Sequence, residues 1–175
     1  YGLSDPLDVD EATLGDFADA TIECLDALGV TRFSVYGFHT GGMIGIALAE
    51  RFPDRVLALA CNGVAVPTAP ELSEILAQYL PRLEPCWDGG HLAWLWARLR
   101  EQTVFFPWHK RSAASRMNFP MPPPERLQAG VLEFLRAADH YHVGYRAAFT
   151  YPVAGVVQTL QVPVLDVGDD ADVRL

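Results

Sequence analysis

The segment Phe33–Gly42, FSVYGFHTGG, sets a histidine among glycines at positions 37, 41 and 42. Phe33 to Tyr36 reads as a short β-rich strand. Gly41 to Phe52 reads as a helix with small residues at its start and Pro53 as its stop. His39 therefore falls in the tight turn between strand and helix. A neutral imidazole there is a nucleophile in its own right or a general base toward water or a substrate C–H or O–H. Histidine is also among the few non-glycine residues enriched at positive φ, so ligand contact alone, or a purely structural role, is an equally physical use of the position.

A second set of candidates lies in Asp88–Trp108, DGGHLAWLWARLREQTVFFPW. Asp88-Gly89-Gly90 can turn into a helix, on which His91, Trp94, Leu95, Arg98 and Gln102 share one face. That face is too polar for plain core and too aromatic for an ordinary solvated one. It suits a pocket lining, with Trp94 as an apolar wall and Arg98 as an anchor for an anion or carbonyl. The bland alternative is a surface helix with Trp94 and Trp96 packed on neighbours. Trp108 closes an aromatic run that serves as wall or hinge. Tyr145, with Tyr141 and His142, can face the same pocket. In Asp139-His140-Tyr141-His142 the two histidines would share a side only on a strand, whereas the segment reads as helical. No second cluster completes a ligand set, so no metal is expected.

These residues need elements to hold them. Asp10 to Leu28 has helical apolar spacing, a Thr13/Asp16 capping box and Gly29 as the stop. Val56 to Val66 reads as a fully buried strand of a parallel sheet covered on both faces. Pro67 to Thr150 carries most of the prolines, all four tryptophans and helical periodicities. Gln161 to Val167 brings back a strand, followed by the acidic turn GDDAD. Strands alternating with helices give an α/β class with a parallel sheet. The division expected is a core of residues 1–66 and 151–175 interrupted by a helical insertion, 67–150, set over the C-terminal ends of the strands.

The order of these segments resembles the α/β-hydrolase superfamily. YGLSDP is similar to the loop before that family's first matching helix. FADATIECLDALGVTRFSVYGFHTGG resembles the helix, strand and nucleophile elbow, ALAERFPDRVLALACNG the next helix and strand, and VPVLDVGDDAD the strand that ends at the catalytic acid. The resemblance implies a partial α/β-hydrolase fold with a helical cap insertion. It places His39 where the family has Ser, Asp or Cys, and makes the Thr40 N–H part of an oxyanion site at the helix start. Asp172, or else Asp170, becomes the acid. Phe38, His91, Trp94, Arg98, Trp108 and Tyr145 become the substrate contacts. Both ends of the chain read as cuts through a larger fold, with the early strands and the family's general-base histidine outside it.

With 175 residues, half of them hydrophobic, the chain can bury a sizeable core. A net charge of −9 without a basic run argues against nucleic acid. No apolar stretch is long enough for a membrane span. Cys24, Cys61 and Cys86 read as reduced and mostly packed, which suits a cytoplasmic protein. The activity implied is hydrolysis of a small, partly apolar ester-like or C–C substrate, without a cofactor, by a protein that could form a homodimer. The alternatives are a non-catalytic ligand-binding member of the fold and a cofactor-independent lyase or oxygenase with His39 as base.

Overall fold

The computed structural model describes residues 4–9, 11–137 and 140–168. The chain divides into two compact units. One joins Leu7–Thr68 to Val143–Leu175, and the other joins Tyr1–Pro6 to Ala69–His142.

In the first unit, helix α1 (Leu14–Ala27) starts where Thr13 takes an extended cap conformation, which is why it does not begin at Asp10. The Asp16 N–H donates to Thr13 Oγ1 at 3.3 Å. The Thr13 N–H donates back to Asp16 Oδ2 at 2.7 Å, completing the reciprocal box. The Thr13 hydroxyl, which donates to Asp16 Oδ2 at 2.6 Å, and then the Thr13 N–H hold the Asp16 carboxyl below its ordinary value. At the other end Gly29 has φ 71°. The N–H groups of Gly29 and Val30 bond to the carbonyls of Asp26 and Leu25 at 3.0 and 2.9 Å, a Schellman stop. Leu14, Ala18 and Ile22 form the buried stripe.

Strands β1 (Phe33–Phe38), β2 (Val56–Asn62) and β3 (Val164–Val167) form a parallel sheet in the order β1-β2-β3. Helix α2 (Thr40–Arg51) links β1 to β2 and supplies the centre of the core with Met43, Ile46, Ala47 and Leu48. It lies so close to the sheet that a Cβ on Gly45 would sit 2.7 Å from Leu59 Cδ1. Helix α7 (Val153–Val157) adds Val153 to the same core.

The expectation of a β2 buried on both faces is corrected. The strand ends at Asn62 and its exposure alternates. Leu59 and Cys61 face the helices, whereas on the opposite face Tyr36 and Leu165, in register through Ala60, are 69% and 61% exposed. Among the described residues, then, the apolar run is covered on the Leu59 and Cys61 face and left exposed at Tyr36 and Leu165 on the other. The expectation of mostly packed cysteines is also corrected. All three thiols are free, but only Cys61 is buried.

The second unit holds α3 (Ala69–Gln78), α4 (Gly90–Gln102), α5 (Pro124–Ala137) and the start of α6 (Tyr141–Thr150). Pro124 occupies the first turn of α5, where a missing N–H costs nothing. Helix α4 starts behind a Gly89 at φ 72°, with the Gly90 N–H on Asp88 Oδ1 at 2.9 Å. It buries Leu95 and Leu99 together with two charged residues, Arg98 and Glu101. Among the described residues no helix is long and apolar enough to cross a membrane.

Candidate functional site

The turn after β1 is dictated by steric limits on its backbone. A Cβ on Gly37 would lie 2.3 Å from the carbonyl oxygen of Gly41, so no other residue fits there. Gly42 is less tightly held: a Cβ there would lie 3.2 Å from Gly37 O and 3.3 Å from Val64 Cγ2, so the neighbours would have to give by a few tenths of an ångström. Gly41 itself has open space, so the steric demand of the turn falls on Gly37 and, less strictly, on Gly42. The chain reverses through His39, the only described non-glycine residue at positive φ (φ 47°, ψ −115°), which then serves as N-cap of α2.

Two hydrogen bonds pin this histidine to the end of β2. Its backbone N–H donates to Asn62 O at 2.8 Å. Its ring Nδ1 lies 3.0 Å from Gly63 O. A carbonyl oxygen only accepts, so the Nδ1 of this contact carries the proton. In the neutral ring the lone pair is then on Nε2. The residue is exposed and its ring meets the edge of Phe38 at 3.9 Å between centroids. The first N–H groups of α2, Thr40 among them, have no acceptor within their own helix and point toward the turn. Beneath it, burial pushes the Cys61 thiol up to about 11, helped by the charge of Asp166. An exposed imidazole with a fixed tautomer beside a helix N-terminus can accept a proton, attack an electrophilic carbon, or hold a ligand.

The sequence did not single out Asn62 or Gly63. The signal lay in the CNG that ends β2, because adjacent parallel strands bring their C-terminal ends side by side. Asp170 and Asp172 lie outside the described residues.

In the helical unit, His91 Nδ1 accepts the Cys86 N–H at 3.2 Å, in the turn that precedes α4. Trp94 meets Trp108 edge-on at 6.1 Å. Trp108 is buried and its indole N–H donates to Tyr79 O at 3.1 Å. Arg98 is 1% exposed. Tyr145 belongs to the sheet unit, where it stacks on Phe149. The structure thus brings Trp94, Arg98 and Trp108 together around Tyr79, Phe134 and Tyr141. Of these rings Tyr141 was already a candidate in the sequence, whereas Tyr79 and Phe134 come from distant segments and gave no signal. Among the described residues no group of three or more side chains could hold a metal ion.

The sequence profile described as alpha/beta hydrolase fold matches residues 1–89, half of the chain. The chain belongs to this family. Over 55 residues it is 42% identical to the protein of Enterobacter cloacae named "Putative carbamate hydrolase RutD", a stretch that is 31% of this chain and 21% of that protein. Its structure is similar to a hydrolase from Pseudomonas aeruginosa, with a TM-score of 0.58 and 20% identity over 91% of this chain and 56% of that one. Epoxide hydrolase A from Mycobacterium thermoresistibile matches with a TM-score of 0.64 and 20% identity over 98% of this chain and 64% of that one. The chain therefore spans less than two thirds of the length of each of these relatives. At these identities the solved structures speak for the fold.

Proposed function

We propose that the protein is a hydrolase of the α/β-hydrolase family, acting on a small, partly apolar ester-like or C–C substrate at the His39 turn. The observation that carries this reading is the Nδ1 contact to Gly63 O, which leaves Nε2 as the basic atom at a helix N-terminus. A nucleophilic Nε2 would attack the substrate carbonyl with the Thr40 N–H on the oxyanion; collapse would break the bond to the leaving alcohol or amine, and water would then cleave the acyl-imidazole to release the acid and free His39. As a general base it would instead take a proton from water. In both cases the Nδ1 contact with Gly63 O holds the ring in place. Asp172 or Asp170 is the proposed acid. The proposed substrate contacts are Phe38, whose ring touches the imidazole, together with His91, Trp94, Arg98, Trp108 and Tyr145. The name of the relative matched over 55 residues supports including carbamates among the substrates to try.

The ligand-binding reading has its own support, because the ring contacts a neutral carbonyl at Nδ1 and not a carboxylate. Turnover decides between the two. Wild type, His39→Ala and His39→Gln are assayed on a panel of esters, carbamates, lactones and epoxides. Loss of at least a hundredfold in kcat/KM on both substitutions is expected. Full activity in His39→Ala sinks the catalytic role. No turnover by wild type, with a ligand that raises Tm, establishes binding without chemistry. Solvent deuterium entering the substrate would mark the lyase or oxygenase alternative.

A further inference from the structure

We propose that the free edge of Arg98 is a binding site for the carboxylate of a monoanionic ligand with an apolar body. The inference deepens the reading above only in giving Arg98 a ligand contact, and it does not depend on what His39 does.

Charged side chains are almost never fully buried unless paired, because burial in a low-dielectric surrounding removes their hydration. Arg98 is 1% exposed. Its guanidinium carbon lies 4.7 Å from the centroid of Phe134, 5.3 Å from that of Trp108, 5.6 Å from that of Tyr141 and 5.7 Å from that of Tyr79. These rings attract the cation through their faces but give its in-plane N–H groups no oxygen. The polar tips of two of them are already engaged, the Tyr141 hydroxyl with Pro81 O and the Trp108 indole N–H with Tyr79 O.

The guanidinium is oriented from one side. Nη1 donates to Gln102 Oε1 at 2.8 Å, one turn further along α4. Nε and Nη2 are buried and have no hydrogen-bond acceptor among the described residues. The choice of atoms is informative. Nε–H and the adjacent Nη2–H lie on one edge of the planar group and point the same way. This is the fork that takes the two oxygens of a carboxylate. The nearby buried carboxylate does not fill it, since Glu101 pairs with Arg100 at 2.8 Å and faces Arg111 at 3.6 Å. The site therefore combines a preset bidentate fork with an aromatic surround, which suits a carboxylate on an aromatic or branched body better than a hydrated dianion. Entry requires one of the rings to swing.

Phenylacetate is the probe, with phenylacetamide as its neutral isostere, and binding is read by calorimetry and by Tm. Phenylacetate is expected to bind at least tenfold more tightly than the amide. Arg98→Lys keeps the charge but not the fork and should weaken phenylacetate about tenfold. Arg98→Met, which fills the same space, should erase the preference for the acid, while His39→Ala should leave it unchanged. Equal binding of acid and amide by wild type overturns the proposal, as does an unchanged preference in a folded Arg98→Met. Should either variant fail to fold, the acid–amide comparison on wild type decides alone. Loss of turnover in His39→Ala has no bearing on this binding, so the two readings fail separately.

Discussion

The two units hold their candidate residues by opposite means. In the sheet unit His39 is exposed, and its place is set by main chain: a Gly37 that admits no Cβ, and hydrogen bonds to the carbonyls of Asn62 and Gly63. In the helical unit Arg98 is enclosed, and its place is set by four rings and the Gln102 amide. The first arrangement constrains the path of the chain and leaves the side chain at its centre replaceable. The second constrains shape and charge and leaves the backbone an ordinary helix. A substitution should therefore be costly for different reasons in each unit.

The largest effect is expected at Gly37. The added methyl of Gly37→Ala meets backbone on a strand that cannot shift without unpairing from β2. A loss of more than about 4 kcal/mol in urea unfolding is expected. Gly41→Ala, two residues past His39 and with nothing within 4 Å of the new Cβ, should be neutral or add up to about 1 kcal/mol, because alanine favours a helix. Equal effects at the two glycines would break the claim that the backbone sets this turn.

Next in size is a pair in α4. Leu95 is completely buried, and Leu95→Ala should cost about 2–5 kcal/mol through the cavity it leaves. Arg98→Met, one turn on, should cost nothing or stabilise, because it removes a buried charge without an acidic partner among the described residues. If Arg98→Met proves as damaging as Leu95→Ala in the same unfolding experiment, the guanidinium is part of a buried ion pair and the contrast between the units weakens.

The same contrast explains what the sequence disclosed. The Thr13–Asp16 box, the Gly29 stop and the glycines around His39 were legible because each is a local rule about a few consecutive residues. The α/β order and the parallel sheet followed from the alternation of elements. The mixed face of α4 was legible as unusual, because His91, Trp94, Arg98 and Gln102 recur at helical spacing. What surrounds Arg98 was legible only in part: Trp108 and Tyr141 were named as candidates for the same pocket, whereas Tyr79 and Phe134 arrive from other segments without a local signal. Gly63 escaped notice because its contribution is a carbonyl oxygen that every residue has. Gly41 and Gly42 could not be ranked without knowing which of them faces Val64 and Gly37.

A smaller effect, with the opposite sign, is expected at His39 itself. A non-glycine residue in this conformation carries strain. His39→Gly should relieve it and raise stability by about 1 kcal/mol, less the modest hydrogen bond to Gly63 O, while removing whatever the imidazole does. A thermal melt checks the first part and the substrate panel the second. A fall in Tm would show that the ring, and not the backbone, holds the turn.

The smallest effect tests whether local backbone satisfaction governs the sheet unit from its first helix onward. The Asp16 carboxyl is held below its ordinary value of 3.8, first by the Thr13 hydroxyl and then by the Thr13 N–H. A carboxyl whose pKa is lowered by folding stabilises the protein above the ordinary value, and that contribution is lost as pH falls through the lowered one. Asp16→Asn keeps an acceptor for Thr13 but removes the negative charge from the helix N-terminus. At pH 7 it should cost about 0.5 kcal/mol. Melts taken from neutral pH downward should show the two curves converging below about pH 4, as the wild-type carboxyl protonates. A gap that persists into acid would assign the effect to the shape of the capping box and not to its charge.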